Sequence, residues 1–257
     1  METIAVERPT EWDACELHVF ADIHLGDLLV DGKLLAERIA HCEETENCVV
    51  VLNGDICNAA VKNSPSDVYA ESIRPMEQLK TAVRYFGKLA EQGKILALTD
   101  GNHERRVYRN DGIDMSALIA AQLGVPYSPG AALIFLRFGR DSKHCRRMMY
   151  SIFCNHGGGG GGSKIGGKAN RVLSMGETID ADIFVHSHVH EPLIVKRAFF
   201  RVNPQNSSVS RVDRLFLNTG AYLDYGGYAE QSELPAGSKA TPVVYLDGHR
   251  RNMICQM

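Results

Sequence analysis

The sequence lacks any apolar run approaching the roughly 20 residues needed to span a bilayer, so no membrane partner is expected of its 257 residues. Its opening stretch, Met1 to Asp13, is mixed in charge and lacks the basic-then-apolar order of a secretory signal, which makes the cytoplasm the expected location. Excess charge of either sign is also missing. A formal net charge of −3 gives no global footprint for nucleic acid and leaves room only for a local basic patch. The seven cysteines (Cys15, Cys42, Cys48, Cys57, Cys145, Cys154 and Cys255) are odd in number and contain no C-x-x-C pair. Neither a disulfide framework nor a thiolate zinc site is indicated, and they read as reduced thiols. No internal repeat is visible. The single low-complexity segment is the six-glycine run Gly157 to Gly162, which cannot hold a helix by propensity and is expected to be mobile.

What is present begins with 44% hydrophobic residues, enough for a full core and read here as one domain across 1–257. In the first half, short runs rich in Val, Ile and Leu (Leu17 to Ala21, Cys48 to Leu52, Ile95 to Thr99) alternate with segments of helical spacing. Helices are expected over Lys33 to Cys42, over Val68 to Glu91 with a kink or break at Pro75, and over Met115 to Leu123, ahead of Gly124 and Pro126. From Ala131 onward strand-like stretches dominate: Leu133 to Phe138, Met148 to Cys154, Ile183 to Val185, Leu193 to Val195, Arg214 to Leu217 and Val243 to Leu246. The pattern predicts an α/β fold with a partly parallel sheet and a second sheet.

Polar clusters follow these strands directly. Asp22-Ile23-His24 comes after the first, Asn53-Gly54-Asp55 after the second, and Asp100-Gly101-Asn102-His103-Glu104 after the third. Asn155-His156 ends another strand, and His186, His188 and His190 follow Ile183-Phe184-Val185 at a spacing of two, which on extended backbone puts the three imidazoles on one face. Asp, Asn and Gly at any single strand end are ordinary turn chemistry. Five such clusters at strand carboxyl ends, where α/β sheets collect their ligands, are a site. Two carboxylates, an amide oxygen and four imidazoles suit two divalent transition metals, with manganese favoured over iron, zinc, nickel or cobalt; an oxygen-only Mg or Ca site would not use so many histidines.

In order, the motifs D-x-H, G-D, G-N-H-E, a lone His after a strand, and paired histidines before Pro192 resemble the calcineurin-like metallophosphoesterase superfamily, over Asp22 to Pro192. The resemblance implies a four-layer α-β-β-α sandwich of two mixed β-sheets flanked by helices. It further implies that Asp55 bridges two metals, with Asp22, His24 and His190 completing one site and Asn102, His156 and His188 the other. The last motif departs from the family, with Ser187 in place of Gly, and admits two registers; counting back from Pro192 favours His188 and His190 over His186 and His188 and leaves His186 as a supporting or substrate-side group. Two cations roughly 3.5–4 Å apart activate water and clamp a phosphate for in-line attack. His103, beside a ligand but not one itself in the family, is expected to protonate the leaving oxygen, with Asp100 or Glu104 holding its tautomer.

The stretch Gly162 to Lys168 nearly spells a P-loop, but Ala169 stands where Ser or Thr must bind magnesium. Lys164, Lys168 and Arg171 read instead either as a lid that meets substrate phosphates or as a solvated loop. Arg105, Arg106 and Arg109 are either guanidinium forks near the cleft or a solvated helix face. His18, His41, His144 and His249 lack motif partners and are read as structural or surface groups. Asn218-Thr219-Gly220 reads as scaffold. The expected activity is metal-dependent hydrolysis of a phosphate ester. The resemblance of Ala21 to Gly26 to the recombination-repair nuclease branch favours a phosphodiester, nucleic acid or a cyclic nucleotide, although Phe-Asp, usual after the second motif there, is absent. Leu25 and Ile56 to Ala59 lack the glycine and arginine of the family's protein phosphatases. A phosphomonoesterase acting on a metabolite or phosphoprotein is the alternative, and a non-catalytic scaffold is the reading from another class.

Overall fold

The computed structural model describes residues 1–62, 64, 68–142, 145–159, 164–233 and 235–257. Gly160 to Gly162 of the glycine run and His144 lie outside the described residues. In chain order the elements are β1 (Glu2–Glu7), β2 (Ala14–Phe20), α1 (Gly32–Glu44), β3 (Cys48–Asn53), α2 (Pro75–Glu91), β4 (Ile95–Thr99), α3 (Asn102–Asp111), α4 (Met115–Leu123) and β5 (Tyr127–Ser128). They continue with β6 (Ala132–Phe138), β7 (Met148–Asn155), α5 (Ile165–Thr178), β8 (Ile183–His186), β9 (Leu193–Asn203), β10 (Ser208–Asn218), α6 (Gly227–Gln231), β11 (Val243–Asp247) and β12 (Met253–Gln256).

Two mixed six-stranded sheets form the centre, in the orders β12-β11-β2-β3-β4-β5 and β1-β6-β7-β8-β10-β9. Alternation decides how they face each other. On β2, Cys15, Leu17 and Val19 enter the core between the sheets and meet Ile134, Leu136 and Phe138 of β6. Phe20 points the other way, to a second core beneath α1, α2 and α4. A third cluster packs Val172 of α5 on Phe184 and Phe216. Helices therefore cover both outer faces, giving the expected α-β-β-α sandwich. Strands β3 and β4 are buried along their full length, as central parallel strands covered on both faces must be.

Local chemistry explains the helix boundaries. Asp31 caps α1 by accepting from Leu34 N at 3.0 Å, and Leu35, Ile39 and Cys42 form its buried stripe. The far end of α1 is closed by Lys94, whose ammonium donates to the carbonyls of Cys42, Glu43 and Thr45 at 2.7, 3.0 and 2.9 Å. Pro75 does not kink a longer helix. It starts α2 as its first residue, where its missing N–H has no intrahelical partner to lose. Helix α5 was not expected, because Gly166, Gly167 and Gly176 depress its propensity. Packing overrides that, and a Cβ at Gly176 would sit 2.9 Å from the Phe216 ring, so the glycine sets how closely the helix approaches. Among the described residues, no helix is long and apolar enough to cross a membrane.

Candidate metal centre

Strands β2, β3 and β4 run parallel, as do β7, β8 and β10, so the carboxyl ends of both sets meet along one edge of the sandwich. One hydrogen bond across the sheets and one between neighbouring strand ends lock the edge. Asn53 Nδ2 donates to Ser187 Oγ at 2.7 Å, and Ser187 N donates to the His156 carbonyl at 3.1 Å. Serine at 187 thus supplies a fully buried acceptor joining the two sheets. Gly54 and Gly101 allow two loops to touch: a Cβ on Gly101 would fall 2.1 Å from Asp55 N, and one on Gly54 2.7 Å from His156 Nδ1.

These turns bring together two triads of potential ligands, Asp22–His24–His190 and Asp55–His156–His188, each with its ligand atoms within 4.8 Å of one another. Asp55 also lies within that distance of His24 and His103, so it reaches both triads. Asn102 Oδ1 joins the second at 3.2 Å from His156 Nε2. The backbone is bent to achieve this. Nine non-glycine residues among those described have positive φ, and five of them are Asp22, His24, Asp55, His188 and His190. Each such residue costs on the order of 1–3 kcal/mol, a strain that persists where the surroundings enforce it and that clusters at functional sites. The extended spacing expected for the three late histidines does not hold: β8 ends at His186, and His188 and His190 project from left-handed turn positions. His186 is consequently in neither triad. It is buried, its Nδ1 has no hydrogen-bond partner among the described residues, and burial together with His156 pushes it down to about 4.

The donor chemistry fits cations. Asp55 Oδ1 accepts from His103 N at 2.9 Å, whereas its buried Oδ2 has no hydrogen-bond partner among the described residues. That oxygen lies 3.1 Å from His156 Nε2. The other ring nitrogen of His156, Nδ1, faces the Asn53 carbonyl at 2.7 Å and carries the hydrogen, so Nε2 either holds a second proton or offers its lone pair to a cation. Burial opposes charge there, yet Asp55 and Asp22 push His156 up to about 10; positive charge is called for at this nitrogen. On the other side His24 Nε2 and His190 Nε2 stand 3.2 Å apart, and His190 Nε2 is 3.2 Å from Asp22 Oδ1. Burial works to raise Asp22, but His190 and His156 hold it at about 2. Asp22 is steadied by His188 N at 3.1 Å and by Thr219 Oγ1 at 3.2 Å, a buried scaffold contact.

The surroundings of His103 differ from expectation. Its Nδ1 donates to the Asn58 carbonyl at 2.8 Å, and Arg106 Nη2 donates to its Nε2 at 2.8 Å. Burial lowers its pKa, and the Arg106 charge adds to that. Asp100 does not hold the tautomer, because it is occupied by Ser116 Oγ at 2.8 Å and Arg105 Nε at 3.1 Å. Nor does Glu104, whose buried carboxylate accepts from Asp55 N at 3.1 Å and Cys57 N at 2.7 Å and so shapes the Asp55 loop. That organising role, and the Asn58 carbonyl, were missed; the Glu of G-N-H-E was the one signal for the former. Of the other cations, Arg105 is bound to Asp100 and the Pro129 carbonyl, Lys168 pairs with Glu191 at 3.2 Å, Arg171 donates to the Gly158 carbonyl, and Lys164 is exposed ahead of α5.

No protein family and no curated protein matches the sequence. Among solved structures, the NAD nucleotidase (NadN) of Haemophilus influenzae aligns over 95% of this chain at 12% identity with a TM-score of 0.40. This chain spans 49% of that protein's length.

Proposed function

We propose that the chain is a dinuclear metal-dependent phosphoesterase, with a phosphodiester as its substrate. The observation that supports the reading is the buried Oδ2 of Asp55, without a hydrogen bond among the described residues and within reach of two His/Asp triads. Asp22, His24 and His190 would hold one cation and Asn102, His156 and His188 the other, with Asp55 within reach of both. When bound, two divalent ions, manganese first among the candidates, would supply a water of lowered pKa and positive charge beside the phosphate.

The remaining work falls to the chain itself. The N-terminus of α3 and the His103 amide orient Asp55. Arg106 exchanges His103 Nε2 for a substrate oxygen when an anion arrives; the freed Nε2, which bears a lone pair while Nδ1 donates to the Asn58 carbonyl, takes up a proton from solvent and passes it as imidazolium to the leaving oxygen. The diester assignment rests on the likeness of Ala21 to Gly26 to the nuclease branch and on the absence of the protein-phosphatase arginine after Asp55.

The test is the manganese-dependent rate on bis-p-nitrophenyl phosphate against p-nitrophenyl phosphate, with Asp55→Asn as control. A diester preference abolished in the control is expected. A monoester preference refutes the substrate class but keeps the two-metal reading, and a rate unaffected by Asp55→Asn refutes both.

A further inference from the structure

The outer face of β2 carries a further group of side chains whose donor atoms converge closely enough to hold a metal ion. Glu16 and His18, two residues apart, share the face beneath α1, while Cys15, Leu17 and Val19 enter the core between the sheets. From α1, His41 comes down onto them. One oxygen of Glu16, Oε2, lies 2.9 Å from His18 Nε2 and 2.8 Å from His41 Nε2, and the two rings are 5.2 Å apart. His18 is only 8% exposed. Phe20, next along the same face, is core, so an apolar side chain at 18 would bury at less cost than an imidazole. Packing therefore does not account for the choice of residue.

We propose that Glu16, His18 and His41 form a mononuclear site for a divalent transition metal of the zinc class, separate from the dinuclear centre, that clamps α1 to β2. One carboxylate and two imidazoles are a zinc donor set that leaves a fourth position for water. Ligand atoms about 2.0–2.1 Å from a tetrahedral zinc lie roughly 3.3 Å apart, so the two Glu16–His separations need open by only a few tenths of an ångström. A cleft of about 300 Å³, lined by His18, Arg38, His41 and Tyr245 among others, gives the open position access to solvent. Arg38, the cation flanking the group, is turned aside to Tyr222 Oη at 3.3 Å and the Lys239 carbonyl at 3.1 Å. Behind His18 the buried Cys42 and Cys48 also come within 4.8 Å of one of its ring nitrogens, which supplies the competing ligand set the experiment must separate.

The experiment measures zinc bound per chain, by mass spectrometry after dialysis against buffered micromolar zinc, in the wild type, His41→Ala, Glu16→Gln and Asp55→Asn. Because His41 is half-exposed, its replacement leaves the fold intact, which circular dichroism checks. His41→Ala and Glu16→Gln are each expected to bind one zinc fewer than wild type, to lose the rise in Tm that zinc gives at this site, and to keep the esterase rate; Asp55→Asn keeps this zinc. Equal zinc in wild type and His41→Ala overturns the site and leaves a hydrogen-bonded cluster. Cobalt loaded into Asp55→Asn separates the ligand sets: visible bands without sulfur-to-cobalt charge transfer support Glu–His–His, and an intense near-ultraviolet sulfur band overturns it in favour of Cys42 and Cys48.

Discussion

His103 and Arg106 are bound to each other through the nitrogen that a general acid would use. Arg106→Ala is expected to lower kcat/KM about a hundredfold, by loss of the anion contact. It should also raise the His103 pKa, since burial and the guanidinium together hold it down. Nuclear magnetic resonance titration of the metal-free protein reads the second effect, and an unmoved His103 refutes the coupling. His186 makes a separate pH prediction. Its pKa falls from 6.5 to about 4 on folding, so the unfolded chain binds the proton more readily. Its contribution is therefore present above pH 6.5 and lost as pH falls toward 4. In metal-free protein, melting temperatures of wild type should decline across that window more steeply than those of His186→Gln; parallel curves would remove His186 as the cause.

At the scale of elements, the turns after parallel strands were legible because they combine a run of β-branched residues with Gly, Asp and Asn, and Met115 to Leu123 was legible because Gly124 ends it in the left-handed conformation. Helix α5 was not, since its stability comes from Phe184 and Phe216, which no local window contains. Lys94 is a similar case: a charged residue ahead of a buried strand turns out to close a helix fifty residues earlier. Removing it should expose that dependence. Lys94→Met leaves three buried or part-buried carbonyls without their donor and is expected to cost about 2–3 kcal/mol in urea denaturation, with kcat unchanged. A loss below a few tenths of a kcal/mol would mean water replaces the ammonium.

Over the whole molecule, the candidate site is built at a cost to the metal-free fold: five candidate ligands on left-handed backbone and a buried carboxylate oxygen with no hydrogen bond among the described residues. Chelation is accordingly expected to lower Tm and manganese to restore it, because ions bound only by the folded state stabilise it. Asp55→Asn should gain nothing from manganese. In chelator it also loses the charged contact to His156 Nε2, which raises His156 to about 10, so the metal-free variant should be less stable than metal-free wild type near neutral pH. A chelated variant more stable than chelated wild type would contradict this.

The sequence alone determined the order of strands and of the polar clusters that follow them, because hydrophobic period and turn residues are local properties, and it marked Asp22, His24, Asp55, Asn102, His156, His188 and His190 as candidates by their position after strands. It favoured His188 and His190 over His186 by counting back from Pro192, but it could not show that they leave the extended backbone, because that rests on positive φ at both positions. Nor could it show that Asp100 serves Arg105, that Asn58 and Arg106 serve His103, or that His18 and His41 converge on Glu16. Asn58 with His103 and His41 with Glu16 join segments far apart in the chain; Arg106 with His103 and Arg105 with Asp100 are local, but each residue had several partners in reach, and only tertiary packing, which sets burial and therefore the cost of leaving a polar atom unpaired, selects among them.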